Sequence, residues 1–262
     1  MTTVGELTQE VAIVTGASSG IGAATALELA RRGARVALAA RRVDQLRAQE
    51  KAIEAVGGRA ISIPTDVSEP KQLSRLVECV EAAFGRVDVV VNNAGQFWRR
   101  PLAVSDPGEL VGLLEVNLQS AILLSQAVLP GMLKRRHGAI ISVGSLSGRV
   151  AMEPIYSATK YGLRGFSLSL RRQLAGSGVS VSLVSPGNIR TDMTRDVQGR
   201  LPEPGLVADA ICGLVARPRR EVIVPRKHYA LVGLEQILPS LADVAYRWRH
   251  WSPVEEEQAW RY

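Results

Sequence analysis

The stretch VAIVTGASSGIG, residues 11–22, joins a short β-branched run to a glycine-rich turn and then to a segment of helical period. A buried strand followed at once by such a turn and a helix is typical of the first βα unit of a dinucleotide-binding sheet. Gly16 allows a sharp turn, Gly20 lets the backbone approach a pyrophosphate, and Gly22 permits close packing of helix on strand. The stretch therefore predicts a phosphate-binding turn, with a purely structural turn as the alternative.

The same alternation of strand and helix continues along the chain. Six further β-branched runs are predicted strands, and they begin at Arg35, Ala60, Val87, Ala139, Val179 and Glu221. Amphipathic segments of helical period lie between them, at 22–32, 43–56, 71–84, 109–134, 156–175 and 206–216. Alternating βα order with long crossovers predicts a parallel sheet with helices on both faces. Since no linker or low-complexity tract interrupts the pattern, we expect residues 1–262 to form a single α/β domain of the Rossmann type, with a doubly wound, seven-stranded parallel sheet.

The pattern changes after Pro225, so residues 226–262 are predicted to be a C-terminal helical extension. Apolar side chains fall on one helical face, broken or kinked at Pro239: Leu231, Leu234, Ile237, Leu238, Leu241, Val244, Ala245 and Trp248. The favoured interpretation is a helix that packs on the domain or on another subunit. The alternative is a membrane-surface or substrate-covering element, because basic and tryptophan side chains flank the apolar face.

Composition excludes several classes of protein. The 262 residues are 46% hydrophobic, enough for a sizeable core and too many for a disordered chain. The N-terminal segment MTTVGELTQE lacks the basic and apolar runs of a signal peptide. The apolar stretch 118–133 is interrupted by polar residues and is shorter than the roughly 20 residues that span a bilayer. We therefore expect a soluble cytoplasmic protein, with Cys79 and Cys212 as free thiols and no metal site.

The net charge of +7 raises the question of a polyanionic partner. The arginines occur in scattered pairs, mostly near the predicted ends of elements, and few aromatic residues accompany them. Because no single basic face is apparent, solvated helix ends are favoured over nucleic-acid binding.

The end of the second predicted strand, LAARR, indicates which nucleotide would bind. In NAD-binding sheets an acidic side chain here accepts hydrogen bonds from the ribose 2′-hydroxyl, but this chain has Ala40. Arg41 and Arg42 follow, and their guanidinium groups suit a 2′-phosphate. The missing acid and the added bases both favour NADP over NAD.

The stretch YSATK, 156–160, sets Tyr156 and Lys160 four residues apart, about one helical turn. Alone, such a pair is more typical of solvated neighbours on a helix than of chemistry. Its meaning therefore depends on the motifs around it.

Together these motifs resemble the short-chain dehydrogenase/reductase family, in the branch with a TGxxxGxG cofactor turn and a YxxxK catalytic element. The resemblance runs from about residue 11 to residue 225. It rests on stretches in family order: TGASSGIG at Thr15, DV at Asp66, NNAG at Asn92, VNLQS at Val116, GSLSG at Gly144, YSATK at Tyr156 and PGNIRTDM at Pro186.

The resemblance implies a set of cofactor-binding residues. They are Gly16, Ser18, Ser19, Gly20, Ile21, Gly22, Arg41, Arg42, Asp66, Val67, Asn93, Tyr156, Lys160, Ile189 and Thr191. Asp66 and the Val67 amide would contact adenine, and Asn93 would support the central strand and line the ribose. Ile189 and Thr191 would hold the nicotinamide carboxamide and the diphosphate.

For catalysis the resemblance implies Asn117, Ser145, Tyr156 and Lys160. Tyr156 would donate a proton to a carbonyl oxygen, or remove one from an alcohol, with its phenol tuned by the Lys160 ammonium. Ser145 would hold the substrate oxygen, and Asn117 would support a water chain from Lys160. The implied activity is NADP-dependent interconversion of a carbonyl and an alcohol, in a homodimer or homotetramer.

Two points stay open. Only eleven positions separate Ser145 from Tyr156, fewer than is common in the family, so Ser142 and Ser147 compete for the serine role. A cofactor-binding sensor or scaffold without turnover is the alternative function, because a fold does not fix an activity.

Overall fold

The structure is a computed structural model that describes residues 7–98, 102–241 and 243–244. Within these residues the chain forms a sheet of seven parallel strands in the order β3-β2-β1-β4-β5-β6-β7. The strands are β1 (Val11–Thr15), β2 (Arg35–Ala40), β3 (Arg59–Pro64), β4 (Val89–Asn92), β5 (Gly138–Val143), β6 (Val179–Pro186) and β7 (Glu221–Val224). The predicted doubly wound, Rossmann-type fold is confirmed, with the strand order reversing between β1 and β4.

Helices cover both faces of the sheet. They are α1 (Gly20–Arg31), α2 (Val43–Glu54), α3 (Pro70–Phe84), α4 (Pro107–Leu114), α5 (Ser120–Arg135), α6 (Pro154–Gln173), α7 (Pro204–Ala216) and α8 (His228–Ile237). Successive residues of β1 point to opposite faces, so Val14 joins one hydrophobic cluster and Ile13 the other. Leu29 of α1 packs in the first cluster, and Leu124 of α5 packs in the second.

Besides α1, four helices begin one or two residues earlier than predicted. Each has proline in its first turn, directly after an acidic residue: Pro70, Pro107, Pro154 and Pro204. Proline suits the first helical position because its fixed φ matches the helix and the missing N–H would have no helical partner there. The periodicity of apolar side chains does not reveal these starts, because the prolines precede the first buried residues.

Strand β4 begins at Val89 rather than at Val87 as predicted. The buried Asp88 carboxylate accepts a hydrogen bond from the Val11 N–H at 3.0 Å. A side chain, and not the backbone of β4, thus binds this N–H at the start of β1. Asp88 also pairs with Arg86.

Helices α4 and α5 form one continuous helix, interrupted by a π-helical segment, Glu115–Gln119. By length and composition this helix would suffice to cross a membrane. Its Leu124, Val128 and Met132 are buried in the cluster against the sheet.

The C-terminal extension is described only in part, since 245–262 lie outside the described residues and take Ala245 and Trp248 with them. Helix α8 ends at Ile237, just before Pro239. Val232 is the buried residue of this helix, whereas five residues of the predicted apolar face, in α8 and just beyond it, are exposed: Leu231, Ile237, Leu238, Leu241 and Val244. Val232 packs on Ile223 of β7. The predicted face is therefore not the one that covers this domain.

Candidate active site

A cavity of about 390 Å³ opens at the carboxyl ends of the strands, beside the reversal of strand order between β1 and β4. Every predicted site residue lines it except Gly22 and Asn117, which lie directly behind its wall. The sheet thus brings together residues that are far apart in the sequence.

The glycine turn between β1 and α1 needs its glycines. Gly16 and Gly20 have φ of +66° and +57°, in the left-handed region that favours glycine. A Cβ on Gly22 would lie 2.2 Å from the Gly16 carbonyl oxygen, so helix and turn touch here. Ser19 is the N-cap residue of α1 but its side chain makes no capping hydrogen bond. The helix start is therefore available to a phosphate, as the turn predicts.

Asn93 fastens this turn to the end of β4. Its side-chain amide donates to the Thr15 carbonyl at 2.8 Å, and its backbone N–H donates to the Thr15 hydroxyl at 3.0 Å. The Ala94 N–H donates to the same hydroxyl. Two adjacent strand ends are thereby locked together at the floor of the cavity.

Arg42 lies across the glycine turn. Its guanidinium donates to the hydroxyl of Ser18 at 3.0 Å and to that of Ser19 at 2.6 Å. On its other side it pairs with Asp192, at 3.9 Å. Ala40, at the end of β2, is buried and carries no acid. A cationic group therefore lies where an NAD-specific site would have a carboxylate.

Arg41 points to a different partner, Asp66, with 3.9 Å between guanidinium and carboxylate. Burial alone would raise the pKa of Asp66, but hydrogen bonds from the Ser68 hydroxyl and N–H and the charge of Arg41 lower it overall. Asp66 is thus ionised at neutral pH. The buried Val67 follows it in the wall of the cavity.

Tyr156 and Lys160 lie on one side of α6, and both are buried. The Lys160 ammonium donates to the Val143 carbonyl at 3.2 Å and lies 5.7 Å from the centre of the Tyr156 ring. Burial lowers the pKa of Lys160 to about 8 and raises the pKa of Tyr156 to about 12, although a hydrogen bond with the Ser145 hydroxyl opposes the latter shift. Phe97 packs edge-on against the phenol ring, at 4.7 Å between ring centres.

The geometry favours Ser145 among the three candidate serines. Its hydroxyl accepts the Ser147 N–H at 3.1 Å, which directs the hydroxyl proton away from the backbone, and it lines the cavity. Ser142 lies inside β5 with no exposure and accepts a hydrogen bond from Ser167. The buried Ser147 hydroxyl donates to Glu153 instead. Neither alternative lines the cavity.

Asn117 lies in the π-helical segment, a feature frequent at functional sites. Its side chain exchanges two hydrogen bonds with the backbone of Gln96, at 2.8 and 2.9 Å, and donates to the Thr159 hydroxyl at 3.1 Å. A Cβ on Gly95 would lie 3.3 Å from the Asn117 oxygen and 3.6 Å from the Lys160 nitrogen. Glycine therefore leaves a narrow gap between them, and the water chain stays a prediction.

The remaining predicted residues, Ile21, Ile189 and Thr191, line the side of the cavity next to α1. Thr191 caps the short 3₁₀ turn Asp192–Thr194, and its methyl group lies close to Gly20. Sequence reasoning missed Asp192. The only signal in the sequence was its acidic side chain directly after Thr191.

Within the described residues, one cluster of possible metal ligands lies elsewhere: Glu10, Asp88 and His137. Arg86 pairs with Asp88 at 2.8 Å and Arg135 lies 3.8 Å from it. Two guanidinium groups therefore already neutralise the buried carboxylate.

Comparison with known proteins agrees with this geometry. A family model described as short chain dehydrogenase matches residues 10–201. The chain is 35% identical over 257 residues to the ketoacyl reductase HetN of Nostoc sp., covering 92% of this chain and 90% of that protein. It is 40% identical over 188 residues to the 3-oxoacyl-(acyl-carrier-protein) reductase FabG of Escherichia coli (strain K12), covering 71% and 76%.

A solved structure gives the same result. A metagenomic short-chain oxidoreductase in complex with NADP superposes with a TM-score of 0.74 at 40% identity, covering 84% of this chain and 98% of that one. The sheet order, the glycine turn and these matches together show that the chain belongs to the short-chain dehydrogenase family of oxidoreductases.

Proposed function

We propose that this oxidoreductase uses NADPH to reduce a carbonyl group to an alcohol, with Tyr156 as the proton donor. The observation that carries the proposal is the shared cavity. Arg42, hydrogen-bonded to the glycine turn, lies at one end of it, and Tyr156, Lys160 and Ser145 lie at the other. Bound there, NADPH would supply the hydride.

The residues present fit a nucleotide with a 2′-phosphate. Arg42 is held by Ser18 and Ser19 in a position where its guanidinium could meet a phosphate bidentately. Arg41 would be the second cationic group, and Ala40 removes the competing carboxylate. Gly16 and Gly20 let the backbone approach the diphosphate.

The chain's own groups would deliver the proton. A phenol with a pKa of about 12 keeps its proton at neutral pH, so Tyr156 is in the donor form required for reduction. Ser145 hydrogen-bonds to the same phenol and would stabilise charge that develops on the substrate oxygen. Lys160 would restore the Tyr156 proton, with Asn117 supporting the path from solvent.

A 3-oxoacyl thioester is the substrate class that we propose. Two relatives with high coverage are described as a ketoacyl reductase and a 3-oxoacyl-(acyl-carrier-protein) reductase. Met193, 40% exposed at the cavity wall, would contact an apolar acyl chain.

The test is NADPH oxidation, measured at 340 nm across 3-oxoacyl thioesters, simple ketones and aldehydes, with Tyr156→Phe as the matched control. We expect turnover with at least one 3-oxoacyl thioester by the wild type and loss of that turnover in the variant. Reduction of simple ketones alone would refute the substrate class, and tight NADPH binding without any turnover would favour the sensor or scaffold.

We further propose a cytoplasmic homodimer or homotetramer that acts on a small molecule and binds no nucleic acid. The exposed apolar face of α8 supports contact with another subunit, with membrane contact as the less favoured alternative.

A further inference from the structure

A second cavity, also about 390 Å³, lies behind the active site at the outer edge of the sheet. It is bounded by α6, β7, α8 and the loop that follows Ser145. Within the described residues the two cavities have no lining residue in common. The lining residues of the second are Arg149, Arg164, Arg220, Glu221, Ile223, Tyr229 and Gln236.

The charges in this cavity do not balance. Three guanidinium groups line it and Glu221 is the one acid among its described lining residues, so the formal excess is two positive charges. Glu221 is already engaged on every side: it pairs with Arg149 at 2.8 Å and with Arg164 at 3.1 Å, and it accepts the Ser185 hydroxyl at 2.8 Å. The carboxylate therefore holds the arginines in place without neutralising them.

A hydrogen-bond acceptor is also missing. The Arg149 Nε atom is buried and has no hydrogen-bond partner. A buried donor without an acceptor is costly, and native structures rarely contain one. The Tyr229 hydroxyl accepts the Ile223 N–H at 3.2 Å, so its own proton is free to be donated elsewhere.

The geometry points to a second anion site here, one that binds the phosphate group of a small molecule. A phosphate monoester carries about −1.5 to −2 charge at pH 7, which matches the excess of two, whereas a monocarboxylate would leave one charge uncompensated. Guanidinium groups bind phosphate oxygens bidentately.

The site lies close to the active-site loop. Leu146 lies in the 3₁₀ turn that follows Ser145 (Leu146–Gly148), and Val150 lies just after it. Both pack in one cluster with Ile223 and Val232. A Cβ on Gly148 would lie 2.8 Å from the Lys160 carbonyl oxygen, so this turn touches α6 beside the catalytic pair. An anion bound by Arg149 would hold the loop between Ser145 and Tyr156.

The experiment is calorimetric titration of the full chain with inorganic phosphate, glycerol 3-phosphate and acetate at constant ionic strength. Arg220→Gln is the test variant, because Arg220 is exposed and its replacement leaves the network around Glu221 intact. Arg42→Ala is the control, since it removes an arginine from the other anion site.

We expect phosphate to bind the wild type and the Arg42→Ala variant at this site, and Arg220→Gln to weaken that binding by about tenfold or more, as the loss of one charge-assisted bond implies. If glycerol 3-phosphate binds more tightly than inorganic phosphate, the rest of the cavity accommodates the organic part of a phosphate ester. If inorganic phosphate binds more tightly, the ligand is the free ion. Acetate that binds as tightly as phosphate would overturn the ligand class. Phosphate binding that is absent, or is lost in Arg42→Ala and unchanged in Arg220→Gln, would overturn the site.

Discussion

The Arg42→Ala substitution should weaken the binding of NADPH much more than the binding of NADH. Arg42 makes its hydrogen bonds to Ser18 and Ser19 within the cofactor cavity, and its side chain is 49% exposed. A charge-assisted hydrogen bond contributes about 1.5–3 kcal/mol, and half exposure favours the lower end of that range because solvent screens the charge. A loss of about 1.5–2 kcal/mol corresponds to roughly 10- to 30-fold weaker NADPH binding. NADH has no 2′-phosphate, so its affinity should change little.

The assay is direct titration of NADPH and NADH by nucleotide fluorescence, at one salt concentration. The matched control is Arg47→Ala, an exposed arginine on the neighbouring helix α2 that does not line the cavity. It removes the same formal charge from the same region, so it measures any general electrostatic effect of lowering the net charge. The control should leave both affinities nearly unchanged.

Equal weakening of both nucleotides would refute the reasoning, since it would mean that Arg42 supports the glycine turn rather than a 2′-phosphate. Unchanged NADPH affinity would refute it too, and would leave Arg41 as the residue to test. Because the Asp192 carboxylate lies 3.9 Å from Arg42, Asp192→Asn should strengthen NADPH binding if the two anions compete for one guanidinium.

Three further predictions concern the proposed catalytic pair, Tyr156 and Lys160, and the glycine turn. Tyr156→Phe should keep NADPH affinity and lose about 10²–10⁴-fold in turnover, as removal of a general acid does; comparable turnover would exclude Tyr156 as the donor. Burial lowers the pKa of Lys160 to about 8, so its ammonium is present below that pH and is lost above it. The reduction rate should therefore fall as pH rises through about 8, and a profile that stays flat to pH 10 would contradict this role for Lys160. Gly22→Ala should cost about 1–3 kcal/mol in denaturant unfolding, because its Cβ would meet backbone at 2.2 Å. Gly165→Ala, on an open face of α6, should instead raise the free energy of unfolding by about 0.5–1 kcal/mol. Similar effects from the two substitutions would show that the close contact at Gly22 does not determine the cost.

The grouping of the proposed cofactor-binding residues around one cavity could be predicted because their sequence signals are local. The turn after β1 and the arginines after β2 each lie within a few residues of a strand end, and parallel strands bring their carboxyl ends to one edge. The different partners of Arg41 and Arg42 could not be predicted from the sequence. It depends on Ser18 and on Asp66, which approach from other elements.

The features that the sequence did not reveal depend on contacts between distant segments. Arg149, Arg164 and Arg220 are far apart in the chain, and the apparent scatter of arginine pairs hid the fact that β7 brings these three to one cavity. Likewise, the apolar pattern after residue 225 did not show that Val232, outside the predicted face, is the residue that packs on β7. Periodicity identifies an apolar face but not the surface that covers it.

The pKa of Tyr156 depends more on burial than on the neighbouring charge. A neighbouring ammonium favours phenolate, so the spacing in YSATK implies a lowered phenol pKa. In the fold both groups are buried, and the Lys160 ammonium lies over the ring and is bound by the Val143 carbonyl. Loss of hydration then dominates, raising the pKa of Tyr156 to about 12 and lowering that of Lys160 to about 8.

At neutral pH the phenol therefore carries its proton, and the proposed role of Lys160, protonated below about pH 8, is to replace the proton that Tyr156 would donate. This is the resting state that carbonyl reduction requires. Alcohol oxidation would need Tyr156 to act as a base, and the positive charge of oxidised nicotinamide would then have to lower the pKa of this phenol from about 12. The protonation states of these two side chains thus fit the proposed carbonyl reduction, as do the arginines proposed to bind the 2′-phosphate of NADPH.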